Sequence, residues 1–165
     1  MAVSANGQIL SSGENYKVPV EIVQDCIALA HQSGNMVLGL KTFRSFFSNP
    51  NAKEVLKGIE VAVLSTSHKE DTDGVTFLDS IEAVMDFYQS KGHSKIFVAG
   101  GTYTYQSFVN NGYADEFYLT FIPAITGNGA PLITEPDLYK DLTFIESKNI
   151  TDHIIQLHYR VNSSS

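Results

Sequence analysis

The chain has 165 residues, 43% hydrophobic and 18% charged, with 11 Lys and Arg against 18 Asp and Glu for a net charge of −7. That length suits one domain with a proper core, residues 1–161, and a polar tail, 162–165, without a second domain. The acidic balance argues against a nucleic-acid or anionic-membrane surface, which needs a basic stripe, and no apolar run is long enough to span a bilayer. No charged n-region precedes a long apolar stretch, so no secretory signal is expected. The single cysteine, Cys26, has no internal disulfide partner and falls on the apolar side of a predicted helix. A reduced cytoplasmic protein with an inert thiol is the expectation.

In chain order, residues 2–7 predict a short strand that runs into an Asn-Gly turn, and Gln8 to Tyr16 a polar loop. Pro19 opens a helix with Val20, Val23, Cys26, Ile27 and Ala30 on one face, closed by Gly34. Met36 to Leu38 predicts a buried strand that ends at Gly39, and Lys41 to Phe47 a short helix stopped before Asn49-Pro50. Val61 to Leu64 forms a third strand ending in Ser65-Thr66-Ser67, and a charged loop, His68 to Asp73, leads to a strand at Val75 to Leu78. Asp79-Ser80-Ile81-Glu82 has the spacing of a capping box before a helix with Ile81, Val84, Met85 and Tyr88 inward.

The stretch from Lys95 to Tyr105 carries the strongest functional signal. Ile96 to Ala99 reads as a buried strand, Gly100-Gly101 as its end, and Tyr105, Phe108 and Val109 recur at helical spacing. Glycines there let a ligand approach the backbone, and the free N–H groups of the following helix favour an anion. A tight turn without a ligand is the alternative. Asp115 to Ile122 predicts another strand, Gly127-Asn128-Gly129 a turn, and Leu142 to Glu146 with His153 to Val161 a closing antiparallel hairpin. Alternating strands and helices up to Ile122 imply an α/β fold, a mostly parallel sheet with helices on both faces and the hairpin as an antiparallel edge. Ligands of such sheets bind beyond the carboxyl ends of the strands: here Gly39 to Thr42, Ser65 to Ser67, Gly100 to Thr104 and the region after Asn6. The five histidines have no metal-ligand spacing, and no metal site is expected.

Residues 36–43 (Met-Val-Leu-Gly-Leu-Lys-Thr-Phe), 96–105 (Ile-Phe-Val-Ala-Gly-Gly-Thr-Tyr-Thr-Tyr) and 115–120 (Asp-Glu-Phe-Tyr-Leu-Thr), in this order and spacing, resemble the dihydrofolate reductase superfamily. The opening Ala-Val-Ser-Ala-Asn-Gly and the late Thr-Gly-Asn-Gly-Ala-Pro-Leu resemble its branch related to the C-terminal reductase domain of the riboflavin-biosynthesis deaminase/reductase. The resemblance covers nearly the whole chain. It implies the three-layer dihydrofolate reductase-like fold and an NADPH-binding reductase. Gly100, Gly101 and Thr102 would hold the pyrophosphate, Lys41 and Thr42 would meet the phosphates at the other helix start, and Gly39 and Tyr103 would also belong to the cofactor site. Ser65 and Thr66 would lie by the adenosine end, while Ala2 and Ile9 would flank the nicotinamide. The family motif usually has Arg after the glycine where this chain has Leu40, which removes a bidentate phosphate donor. NADH is therefore an alternative to NADPH, with Lys41, Arg44, His68 or Lys69 as substitute cations.

On the substrate side the resemblance implies a carboxylate early in the first long helix, shortly after a proline. Glu21 follows Pro19 and is the first candidate; Asp25, one turn on, is its competitor, and either can merely complement the helix dipole. Burial would raise the pKa of such a carboxyl and let it serve the N–H donors of a pterin or aminopyrimidine. Thr120 matches the threonine that supports this carboxylate. Tyr105 either contacts the nicotinamide or substrate ring, or is a core aromatic. The implied partner is a small pteridine- or pyrimidine-like heterocycle, reduced at a C=N or C=O carbon, and the family often forms homodimers. The rival readings are a reductase using a deazaflavin or acting on an alkaloid-type imine, and a non-catalytic ligand-binding domain.

Overall fold

A computed structural model describes residues 1–10, 16–67 and 72–162, so most of the polar loop before Tyr16, and His68 and Lys69, lie outside the described residues. The elements are β1 (Ala2–Ser4), α1 (Val20–Ser33), β2 (Asn35–Gly39), α2 (Leu40–Phe47), α3 (Ala52–Val55), β3 (Glu60–Leu64), β4 (Val75–Leu78), α4 (Ile81–Ser90), β5 (Val98–Gly100), α5 (Thr102–Asn110), β6 (Glu116–Ile122), β7 (Leu142–Asn149) and β8 (Ile155–Val161). The chain divides into two compact units, Cys26–Tyr105, and Met1–Asp25 with Gln106–Ser165. Among the described residues no helix is long and apolar enough to cross a membrane.

Unit 26–105 holds a wholly parallel sheet in the order β4-β3-β2-β5. Its central strands are continuous apolar runs, as burial on both faces requires, with Val37, Ala62 and Val63 fully buried. Met36, Leu38, Val61 and Val63 pack with Ala30, Phe43, Leu56 and Ile59 into one core. Phe43 meets Phe47 at 4.6 Å and Phe77 edge-on at 5.3 Å between ring centroids. Gly39 lies opposite Leu64 and Leu38 opposite Gly100, so β2, β3 and β5 end nearly level.

Local structure departs from the sequence expectation in several places, among them α3, Ala52–Val55, for which the sequence predicts no element. The predicted strand Ile96 to Ala99 is displaced to Val98–Gly100, because the fully buried Asn35 side chain replaces the ladder before it. Its amide donates to the carbonyls of Ser33 (3.1 Å) and Lys95 (2.7 Å), and its oxygen accepts the Phe97 N–H at 2.9 Å. The α4 cap is Ser80 rather than Asp79, its hydroxyl accepting the Ala83 N–H at 3.1 Å. On α1 the buried positions are Ile22, Asp25 and Ala30, whereas Val20 is 61% exposed. Gly34 closes α1 as expected, at φ +71° with its N–H on the Ala30 carbonyl.

Unit 1–25 with 106–165 holds a mixed sheet in the order β1-β6-β8-β7, with β1 and β6 parallel and β6-β8-β7 antiparallel. The closing hairpin forms as predicted, although β7 extends three residues further, to Asn149. Ala2, Ile22, Ile122 and Ile154 form its core, with Leu10, Tyr16, Val18, Ala124 and Ile150 around it. The α/β class, with a parallel sheet and an antiparallel hairpin, is as the sequence implies.

At the amino ends of β2 and β3, Glu60 collects charges: Lys91 Nζ at 3.1 Å and His93 Nε2 at 3.0 Å. The Tyr88 hydroxyl lies 2.8 Å from the Met36 carbonyl and 3.0 Å from that of Glu60. Burial by itself pushes the Glu60 carboxyl up, but hydrogen bonds and charge from Lys91 and His93 outweigh it and hold it below the usual carboxylate range. A carboxyl depressed in the folded state stabilises above its unfolded pKa of about 4.3, and that contribution fades as pH falls toward the lower folded value. Glu60→Gln is therefore expected to lower Tm most near neutral pH, with the difference from wild type shrinking in acid, as thermal melts across pH will measure.

Candidate functional site

The first group of candidate residues lies at the carboxyl ends of β5, β2 and β3, within unit 26–105. Parallel pairing puts these ends side by side, so Gly100, Gly39 and Ser65 follow neighbouring strands. α2 starts at Leu40, directly after Gly39, an extended N-cap (φ −80°, ψ 156°) that makes no side-chain cap bond; α5 starts at Thr102 after Gly101. Neither helix has an acidic residue in its first turn. Two helix starts with N–H groups uncapped by acids make an anion-favouring cradle.

The glycines are required by space. A Cβ at Gly39 would come within 2.4 Å of Thr104 Oγ1, and one at Gly101 within 2.8 Å of Thr42 Oγ1. Gly100 has φ +115°, and a Cβ there would meet the Tyr105 hydroxyl at 3.0 Å; the Gly100–Gly101 peptide is cis. Tyr105 therefore lies under the glycine turn, and burial pushes its phenol pKa up, so it stays protonated. That geometry fits the core-aromatic alternative. Ser65 is buried, with its N–H on the Leu78 carbonyl at 2.8 Å, while Lys41 and Thr66 are exposed and Tyr103 is 73% exposed. Leu40 packs against the core, and Arg44 is an exposed cation on the same helix.

The second group lies in the other unit. Register places Ala2, Thr120, Gln156 and Lys148 in one row across all four strands, on one face. Asp25 of α1, one turn beyond Ile22, reaches this row. Gln156 Nε2 donates to Asp25 Oδ2 at 2.7 Å and to Thr120 Oγ1 at 3.0 Å, and Lys148 Nζ pairs with Asp25 Oδ1. Asp25 is buried and Glu21 is exposed, so the burial on which a role for Glu21 rested is absent. The position three residues after Ile22 turns inward; the one before it turns to solvent. Ala2 and Ile9 are both buried, and Ile9 exchanges backbone hydrogen bonds with Ala130.

Thr104 stands in the sequence reading only as the last residue of the Gly100 to Thr104 strand end, and Gln156 and Lys148 do not appear in it. These two are single polar positions on hairpin strands, where alternation alone does not separate a site from a solvated face. Gly39→Ala is expected to cost about 1–3 kcal/mol through the clash with the buried Thr104 hydroxyl, and Thr104→Ala is expected to recover part of it. Denaturant unfolding of the two single mutants and the double mutant measures that coupling.

Residues 1–157 match the family described as Dihydrofolate reductase. The Bacillus subtilis proteins YyaP (24% identical over 97 residues, 59% of this chain and 52% of YyaP) and YwjB (37% over 71 residues, 43% of this chain and 40% of YwjB) are relatives in sequence. The matched stretches thus span about half or less of those proteins' length. Among solved structures, the chain resembles a pyrimidine reductase-like protein from Corynebacterium diphtheriae at TM-score 0.73 and 16% identity, over 99% of this chain and 90% of that one. It also resembles RibD of Acinetobacter baumannii at TM-score 0.70 and 14% identity, over 98% of this chain and 56% of that one. At such identities these likenesses speak to fold, and it is the family match, spanning nearly the whole chain, that shows this chain to belong to the dihydrofolate reductase family.

Proposed function

We propose that the protein is an NAD(P)H-dependent reductase that transfers a hydride to a C=N or C=O carbon of a small pyrimidine- or pteridine-like heterocycle. The observation that carries this reading is the pair of adjacent helix starts at Gly39 and Gly101, closed to side chains and free of acids in their first turns. Family membership and the fold shared with a pyrimidine reductase-like protein and RibD support it.

The residues present fit a dinucleotide. Backbone N–H groups at the starts of α2 and α5, with the hydroxyls of Thr42 and Thr102, would hold the diphosphate, and Lys41 and Arg44 supply cations on α2. Ser65 and Thr66 would lie toward the adenosine. When bound, the nicotinamide supplies the hydride. Asp25, oriented by Gln156 and Lys148, is the carboxylate that would position the heterocycle, with Thr120 steadying the Gln156 amide. The heteroatom beside the reduced carbon then takes a proton from water.

NADPH is expected to raise Tm by mass action, by about 2.7 kcal/mol of stability at ~100 times Kd, and parallel titrations with NADH and a deazaflavin rank the carriers. Gly101→Val is expected to abolish that shift. Asp25→Asn is expected to lower turnover at least about tenfold while the NADPH shift persists, whereas Glu21→Gln leaves both unchanged. Absence of a shift with every carrier would favour a binding module without this chemistry.

A further inference from the structure

We infer that Lys148 is the specificity-determining residue of the Asp25 site, selecting ring systems that present carbonyl oxygens or negative charge over cationic amidine-type rings. The inference rests on the reading that the heterocycle binds at Asp25. A bare carboxylate is complementary to two parallel N–H donors, above all to a protonated aminopyrimidine, which pairs with it bidentately. Asp25 is not bare. Lys148 Nζ is on Oδ1, and Gln156 Nε2 is 2.7 Å from Oδ2. The Gln156 amide also reaches Thr120 Oγ1 at 3.0 Å, so both its N–H groups are committed and it cannot turn away freely.

Exposure sets the sign of the site. The Asp25 side chain is 7% exposed and that of Lys148 is 61% exposed, so the accessible half of the pair is the cation. An ammonium has three N–H donors, of which one serves Asp25. The others suit a carbonyl oxygen or an anionic group. A cationic ring would have to displace the ammonium from Asp25 and then remain beside it, which like-charge repulsion opposes. The arrangement is a product of register: Lys148 stands opposite Gln156, and Gln156 opposite Thr120, so a slip of one residue on β7 would remove it to the other face.

The test uses calorimetric binding to the full chain, saturated with NADPH, of two probes: uracil, and 2,4-diaminopyrimidine in mildly acidic buffer where it carries a proton. Wild type is expected to prefer uracil by about tenfold or more. Lys148→Met should reverse that preference, and Lys148→Gln, which keeps a donor without the charge, should bind both comparably. Adding Asp25→Asn to Lys148→Met should erase the gain for the cationic ring, which a merely structural lysine would not do. Thermal melts of each variant confirm folding. An unchanged preference in both Lys148 variants overturns the inference. If neither pyrimidine binds any variant while NADPH does, the inference fails together with the heterocycle at Asp25 but the cofactor reading survives. If NADPH also fails to bind, the reductase reading falls with it.

Discussion

Unit 26–105 depends on a close approach of backbone to side chain at two glycines. With Thr104 Oγ1 lying 2.4 Å from where a Cβ would stand on Gly39, and Thr42 Oγ1 2.8 Å from the corresponding point on Gly101, each helix start is clamped against a hydroxyl of the other helix. α2 and α5 begin beside one another only because no side chain intervenes. The parallel sheet beneath sets the level: Gly39 pairs with Leu64, and Leu38 with Gly100. The same constraint that packs the unit thus creates its anion-favouring edge. Structure and candidate function there have one cause.

In the other unit the organising element is a cross-strand row. A sheet places directly opposed residues on one face, so Ala2, Thr120, Gln156 and Lys148 line up although they are remote in sequence. Asp25 meets the row because α1 turns Ile22 and Asp25 inward together. A buried carboxylate would be costly without partners, and here it has a cation and an amide. The result is a charged group held in one orientation, as a positioning carboxylate needs.

The two glycine-marked helix starts were legible because their signals are local. Glycines at the ends of apolar runs, a hydroxyl cluster after Leu64 and helical spacing after Gly101 each follow from a few neighbouring residues. The choice between Glu21 and Asp25 was not. Both stand on the α1 periodicity, and the apolar stripe through Val20 pointed to the wrong boundary of the buried face, since Val20 is exposed and Ile22 buried. Helix phase is set by what the helix packs on, and that is tertiary information. The shift of β5 has the same origin: Asn35 meets Lys95 and Phe97 across sixty residues, an interaction without a local signature.

Sequence by itself determined the α/β class, the order of the strands and of every helix but α3, the glycine-marked strand ends and the family, because hydrophobic period, turn residues and motif spacing are properties of the chain read in order. Tertiary structure alone decided which carboxylate is buried, that Tyr105 lies beneath Gly100, that Thr104 closes the space at Gly39, and that Lys148 and Gln156 join Asp25. These depend on register and helix phase, which pairing between distant segments sets and which no single segment encodes.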